Sequence, residues 1–266
     1  MNIQLFTQIW RTHWKSLASW GAVLVFLNSL ELYIYPSISK SSAAMTDFVN
    51  SFPDAFKKMF RMTDYFSGPG FLGTELFSLI IPMVMIGVGL AWGAAATAED
   101  EEEGSADLIF TLPIRRITIL WSRFFASVTA LAFLSLLNFL NLLIGSRIVN
   151  LEVETSHLAA ATLTCFLMGL MFTALGTLLG ALIGKRGLGL GVGSGIAILL
   201  YVFYTVSNLV TKFDFVKPIN PFQWALSADE LLKGFALAPN LKLLLGTVIF
   251  ISFSSIIIER RDIHSI

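Results

Sequence analysis

Glu99-Asp100-Glu101-Glu102-Glu103-Gly104, followed a few residues later by Leu112-Pro113-Ile114-Arg115-Arg116, lies between two long apolar runs. Charged side chains cost a few kcal/mol each in hydrocarbon, so five consecutive acids belong in water. The stretch reads as a water-exposed turn between two membrane-crossing segments, open to a partner.

The composition around it agrees. The chain has 266 residues, of which 55% are hydrophobic and only 14% charged, with a mean hydropathy of +0.75. Soluble domains carry about 25% charged residues. The deficit places the chain in a bilayer. The formal net charge is zero, which gives no reason to expect nucleic-acid binding. Cys165 is the single cysteine and sits in an apolar run, so neither a disulfide framework nor a thiolate metal cluster is expected. Arg11, His13 and Lys15 precede an apolar stretch longer than a secretory signal core and without a small-residue cleavage site, so it reads as the first membrane span.

Six stretches are long enough to cross about 30 Å of hydrocarbon as helices: 16–36, 72–98, 117–146, 157–184, 188–210 and 240–258. None alternates as a barrel strand would. The expected fold is all-α: one polytopic membrane domain over residues 1–266, with both termini on one side. Basic residues divide evenly between the two sides, but those on the side of the termini are denser and often paired, which favours cytoplasmic termini.

Two segments on the other side read as interfacial helices. Ser51 to Asp54 has capping-box spacing, with Phe52, Phe56, Met59 and Phe60 on one face behind it. Asn220 is placed to cap a second helix that carries Trp224, Ala228, Leu231, Leu232 and Phe235 on one side. They either roof the bundle or gate an outward exit.

Several chemistries are excluded by inventory. Gly180-Ala181-Leu182-Ile183-Gly184-Lys185-Arg186 is one residue too short for a phosphate-binding loop and has Arg186 where the hydroxyl should be. No His-Glu-x-x-His pair exists, and Ser194 lacks a rhomboid-type glycine two residues before it. No catalytic residue, cofactor site or metal site is expected in this chain. The glycines read as packing surfaces: Gly176, Gly180 and Gly184 form one face, Gly187, Gly191 and Gly195 another, and the two spans are expected to pack through them. The alternative is a local unwinding of the second run into a hinge. Asn138 and Asn141 share a face and are expected to bond a neighbouring helix. Glu31 and Glu75 fall near one membrane edge.

In the acidic stretch, Glu99, Glu102, Glu103 and Asp107 are spaced to share a helical face. Pro113 fits the first turn of the next helix. Arg115 and Arg116 fall where that helix's dipole disfavours cations, so a further interaction, with the acids or with lipid phosphate, is expected to hold them.

Glu102-Glu103-Gly104-Ser105-Ala106-Asp107-Leu108, then Leu112-Pro113-Ile114-Arg115-Arg116, resembles the membrane subunit of type-2 ATP-binding-cassette (ABC) exporters. That family carries acid-acid-x-Gly-Thr-x-(Glu/Asp)-x-Leu and then Leu-Pro-(Val/Ile)-x-Arg between its second and third spans. Ser105 replaces the usual threonine, and Arg123 stands where a lysine often begins the third span's body. Asn220-Pro221-Phe222 and Arg260-Arg261-Asp262 are similar to the family's later motifs, so the likeness runs over most of the chain.

The resemblance implies a permease subunit with cytoplasmic termini in the cell membrane and no ATPase activity of its own. It also implies two permeases, identical or related, and two ABC ATPase subunits that supply ATP and magnesium. A coupling helix within 99–116 would dock on the ATPase. Its surface would comprise Glu99, Asp100, Glu101, Glu102, Glu103, Gly104, Asp107, Leu112 and Pro113, with Arg115 and Arg116 holding it to the third span. Phe-, Leu- and Met-rich spans with few charges suit export of a hydrophobic or amphipathic substrate, such as an antibiotic or lipid. The rival reading is a non-transporting membrane scaffold, which would tolerate loss of the acids.

Overall fold

The computed structural model describes residues 3–40, 51–52, 64–104 and 114–260. Helix α1 spans Ile3–Lys40, α2 Gly68–Glu102, α3 Arg116–Ile148, α4 Thr155–Ile183 and α5 Arg186–Leu209. Two short helices follow, α6 at Pro221–Leu226 and α7 at Glu230–Lys233, before α8 at Leu237–Arg260. All but α6 and α7 are long and apolar enough to cross a membrane. Each of the six stretches expected from hydropathy falls on one of them. The chain is an all-α polytopic membrane protein. Residues 53–63 of the first expected interfacial helix, the stretch 105–113 and the tail at 261–266 lie outside the described residues.

Helices α2 and α4 form the centre and are the most buried. They meet backbone to backbone because small residues line the seam. A Cβ on Gly93 would lie 2.1 Å from the Thr173 carbonyl oxygen, and one on Gly176 would lie 2.7 Å from that of Leu90. Such approach is what drives helix association in lipid, where no hydrophobic difference separates a helix from its solvent. Thr97 adds a hydrogen bond to the Thr177 carbonyl at 3.0 Å. A turn of π-helix, Leu76–Ile80, interrupts α2 just before Pro82.

The other spans wrap this pair and turn much of their apolar surface outward. Helices α1 and α3 are joined by Asn28, whose amide donates to Asn138 Oδ1 at 2.9 Å with both residues fully buried. Asn141 reaches Ser29 at 3.5 Å. These bonds match the expected interhelical role. Helix α1, with 38 residues, is about 57 Å long, so it projects well beyond the hydrocarbon.

Two expectations about the glycines are corrected. Gly176 packs on α2, Gly180 lies between α2 and Gly189 of α5, and Gly184 ends α4 with φ of 70°. On α5 the inward glycines are Gly189 and Gly193. Gly187, Gly191 and Gly195 are exposed, and Gly191 and Gly195 meet nothing within 4 Å of an added Cβ. The run Gly187 to Gly195 contains both registers, and only the position of α4 and α2 decides which one is buried. Helix α5 is continuous through it, so there is no unwound hinge.

On the face opposite the termini, Asn220 caps α6 as expected, accepting from Phe222 N at 2.9 Å. The single helix expected beyond it is broken in two. Asp229 takes a left-handed backbone, φ 59°, and restarts the chain as α7, which buries Leu231 while Leu232 and Phe235 stay exposed. Lys242 lies 5.8 Å from the Trp224 ring, which lets its ammonium remain near water while its stem covers apolar surface. Near the same edge, burial and the carboxylates of Glu75 and Glu31 push the Tyr65 phenol up, so it stays protonated and donates to Glu75 at 2.7 Å.

Candidate functional site at the acidic end of α2

The last turn of α2 carries four acids at a helix C-terminus, where the macrodipole disfavours negative charge. The fold compensates by bringing cations and free N–H groups to them from three other helices. Glu99 is buried, at 9% exposed, with one oxygen 3.0 Å from His13 Nε2 of α1 and the other accepting from the Arg186 guanidinium of α5 at 2.9 Å. His13 is itself buried, its ring 5.4 Å from Trp92. Asp100 takes a two-pronged bond from Arg123 of α3, with Nη2 to Oδ1 at 3.0 Å and Nη1 to Oδ2 closer still. Arg123 is 3% exposed, so this pair is screened from water.

Glu102 acts as a cap in trans. The first residues of α5 have no side-chain cap of their own, and Glu102 Oε2 accepts from Arg186 N at 2.8 Å and Gly187 N at 3.4 Å. A carboxylate at a helix N-terminus satisfies orphan donors and complements the dipole. Glu103 ends α2, and Gly104 turns the chain away with φ of 70°, the left-handed conformation that a glycine adopts without strain.

The acidic run is therefore not one docking face. Glu99 and Asp100 point into the protein, which corrects the expectation that both lie on an exposed surface. Glu102 is exposed but engaged, and Glu101 is half-buried. Glu103 and Gly104 lead outward into residues 105–113. Helix α2 itself ends at Glu102, with Glu103 as its C-cap. Asp107, Leu112 and Pro113 lie outside the described residues. Arg115 stands just before α3 with an extended backbone and an exposed side chain, and Arg116 opens the helix.

Three residues in this network escaped the reading of the acids: His13, Arg123 and Arg186. Their only sequence signal is a charged group next to a span end. His13 and Glu99 are 86 residues apart, and Arg186 and Glu99 are 87 apart. The arrangement ties α1, α3 and α5 to the end of α2, immediately before the 105–113 segment. A force applied at that segment reaches four spans through three carboxylates.

Six apolar spans, a glycine-seamed central pair and a charged node at one membrane face define a polytopic helical membrane protein. Residues 23–257 match the family model described as ABC-2 family transporter protein. The chain belongs to that family and is a membrane permease subunit of an ABC transporter, a component that is not itself catalytic. No curated protein matches it.

Proposed function

We propose that this permease works in an ATP-driven exporter of hydrophobic or amphipathic molecules, paired with a second permease and driven by two separate ATPase subunits. The observation that carries this reading is the junction at Glu103 and Gly104. There the outward-leading acids of α2 continue into 105–113, while Glu99, Asp100 and Glu102 anchor the same helix end to α1, α3 and α5. An ATPase gripping 105–116 would move these spans together. Both termini and this junction would then face the cytoplasm of the cell membrane.

The exposed face of Gly187, Gly191 and Gly195 on α5 supports the second permease. It is a smooth stripe in a lipid-facing helix, the kind of surface on which another helix packs closely. Outward Leu188, Val192 and Leu199 flank it, consistent with an apolar substrate path near the same contact.

Co-expression with an ABC ATPase subunit, followed by purification and reconstitution in liposomes, tests the proposal. The expected result is a stable complex whose ATP hydrolysis is raised by lipid-like or amphipathic drug substrates, with none from the permease alone. A folded permease that retains no ATPase would support the scaffold alternative and refute the exporter.

A further inference from the structure

In the half of the bundle opposite the termini, α3 and α4 part to leave an apolar groove of about 270 Å³. Ala132, Leu136 and Phe139 of α3 form one wall, and Ala159, Leu163 and Phe166 of α4 form the other. Ala132, Leu136, Ala159 and Leu163 are exposed, so the groove opens to the surrounding lipid. Beyond it, the connection between the two helices forms a second, polar cavity of about 500 Å³ whose walls include Arg147, Asn150, Glu152 and Glu154.

The two cavities stand one above the other. Ala132, Leu136, Phe139, Leu143 and Arg147 recur at helical spacing and share a stripe of α3, and Thr155, Ala159, Leu163 and Phe166 do the same on α4. Arg147 comes eight residues after Phe139, about 12 Å further along the axis. Side chains on a helix tilt toward its N-terminus, which directs that of Arg147 back toward the groove. Its guanidinium donates to the Thr155 hydroxyl at 3.3 Å and so bridges the groove's mouth.

An apolar slot that ends about two turns below a cation matches a phospholipid, with an acyl chain in the slot and the phosphate at the cation. The charges then select the headgroup. Arg147 suits a phosphate, to which a guanidinium offers two parallel N–H bonds. A headgroup with only negative charge would also meet Glu152 and Glu154, which repel it. A headgroup that adds an ammonium turns that repulsion into attraction. Glu154 is already engaged by the Ser156 hydroxyl and, at 3.3 Å, by His157, so Glu152 is the carboxylate for the ammonium. A primary ammonium has N–H groups to donate there, whereas the quaternary ammonium of choline has none.

We propose that this corner binds an ethanolamine phospholipid in the leaflet opposite the termini. Its phosphate lies on Arg147, its ammonium on Glu152 and one acyl chain between α3 and α4. The lipid fills the gap between the two helices and ties their connection to the membrane surface. The site lies on a different helix pair from the α5 glycine stripe and does not depend on which substrate is exported.

The test uses the purified full chain in mixed micelles with added phosphatidylethanolamine, phosphatidylcholine or phosphatidylglycerol, and native mass spectrometry to measure the lipid retained. Wild type is compared with Glu152→Gln, Arg147→Gln, Arg147→Lys and Ala132→Trp, all at exposed positions, with melting curves to confirm folding. Wild type should retain the ethanolamine lipid about fivefold better than the choline lipid, the upper end for one solvent-exposed ion pair. It should also prefer it to the glycerol lipid. Glu152→Gln should reduce ethanolamine lipid to the choline level and leave choline lipid unchanged. Arg147→Gln should weaken both, and Arg147→Lys should restore part of the loss. Ala132→Trp fills the slot and should weaken all three. Equal retention of the three lipids by wild type would mean an unselective lipid coat and overturn the proposal. A preference for the glycerol lipid, or an ethanolamine preference that survives Glu152→Gln, would overturn it too. If Ala132→Trp spares lipid retention but reduces permease–permease cross-linking, a second copy occupies the groove and the proposal fails.

Discussion

Replacing Asp100 with Asn would strand the Arg123 guanidinium, because Asp100 is its partner among the described residues and its side chain is 3% exposed. The Asp100 side chain is only 13% exposed, so the pair is largely removed from solvent. Losing one partner of a buried pair costs about 3–5 kcal/mol, most of it from leaving the other charge unpaired. Among the described residues Arg123 Nε has no hydrogen-bond partner, so little spare hydrogen bonding exists there to absorb the change. The neutral Asn can still accept one bond, which favours the lower end of that range. Removing both charges, as Asp100→Leu with Arg123→Met, should recover much of the loss because no charge is then buried. Unfolding of the purified permease in mixed micelles, followed by tryptophan fluorescence, measures each variant, and the double-mutant cycle isolates the pair. Asn at position 100 with unchanged stability would refute the reasoning, as would a double mutant clearly worse than the single.

The neighbouring acids should separate by role. Glu103→Lys changes an exposed side chain at a helix end and should alter folding by about 0.5 kcal/mol or less. It should nevertheless abolish retention of the co-expressed ATPase in a pull-down, and normal retention would show that the acid belongs only to a solvated loop. Glu102→Lys removes the acceptor for two N–H groups of α5 and should lower stability as well, by roughly 1 kcal/mol. The glycines should separate in the same way. Gly93→Leu forces atoms into the Thr173 carbonyl and should prevent a folded monomer, whereas Gly191→Leu should leave the monomer's melting curve intact but reduce permease–permease cross-linking. A folded Gly93→Leu protein would refute the seam, and undiminished cross-linking in Gly191→Leu would refute the α5 contact.

What could be read from the sequence follows from the range of the forces involved. The six spans were legible because the cost of burying charge in hydrocarbon acts on each residue separately, and Asn220 was legible because a cap acts within two or three residues. The acids were legible as a group but not one by one. Glu99 and Glu103 have the same side chain four residues apart, and their difference lies in His13 and Arg186, which only the packing of α1 and α5 against α2 brings near. The glycine run fails for a related reason. Alternate glycines from Gly187 to Gly195 offer two smooth faces of equal quality, so periodicity predicts a close contact without saying which face makes it. Glu230 was the least legible. It lies outside every span, in a stretch read as one interfacial helix, and only the left-handed backbone at Asp229 turns it inward to meet Thr164, 66 residues earlier. Its other side-chain partner, Asn240, comes from a third helix. The residues whose roles are hardest to read from sequence are thus those whose electrostatics are set by distant partners. In this permease they occupy both ends of the bundle, at the junction with 105–113 and beneath the opposite roof.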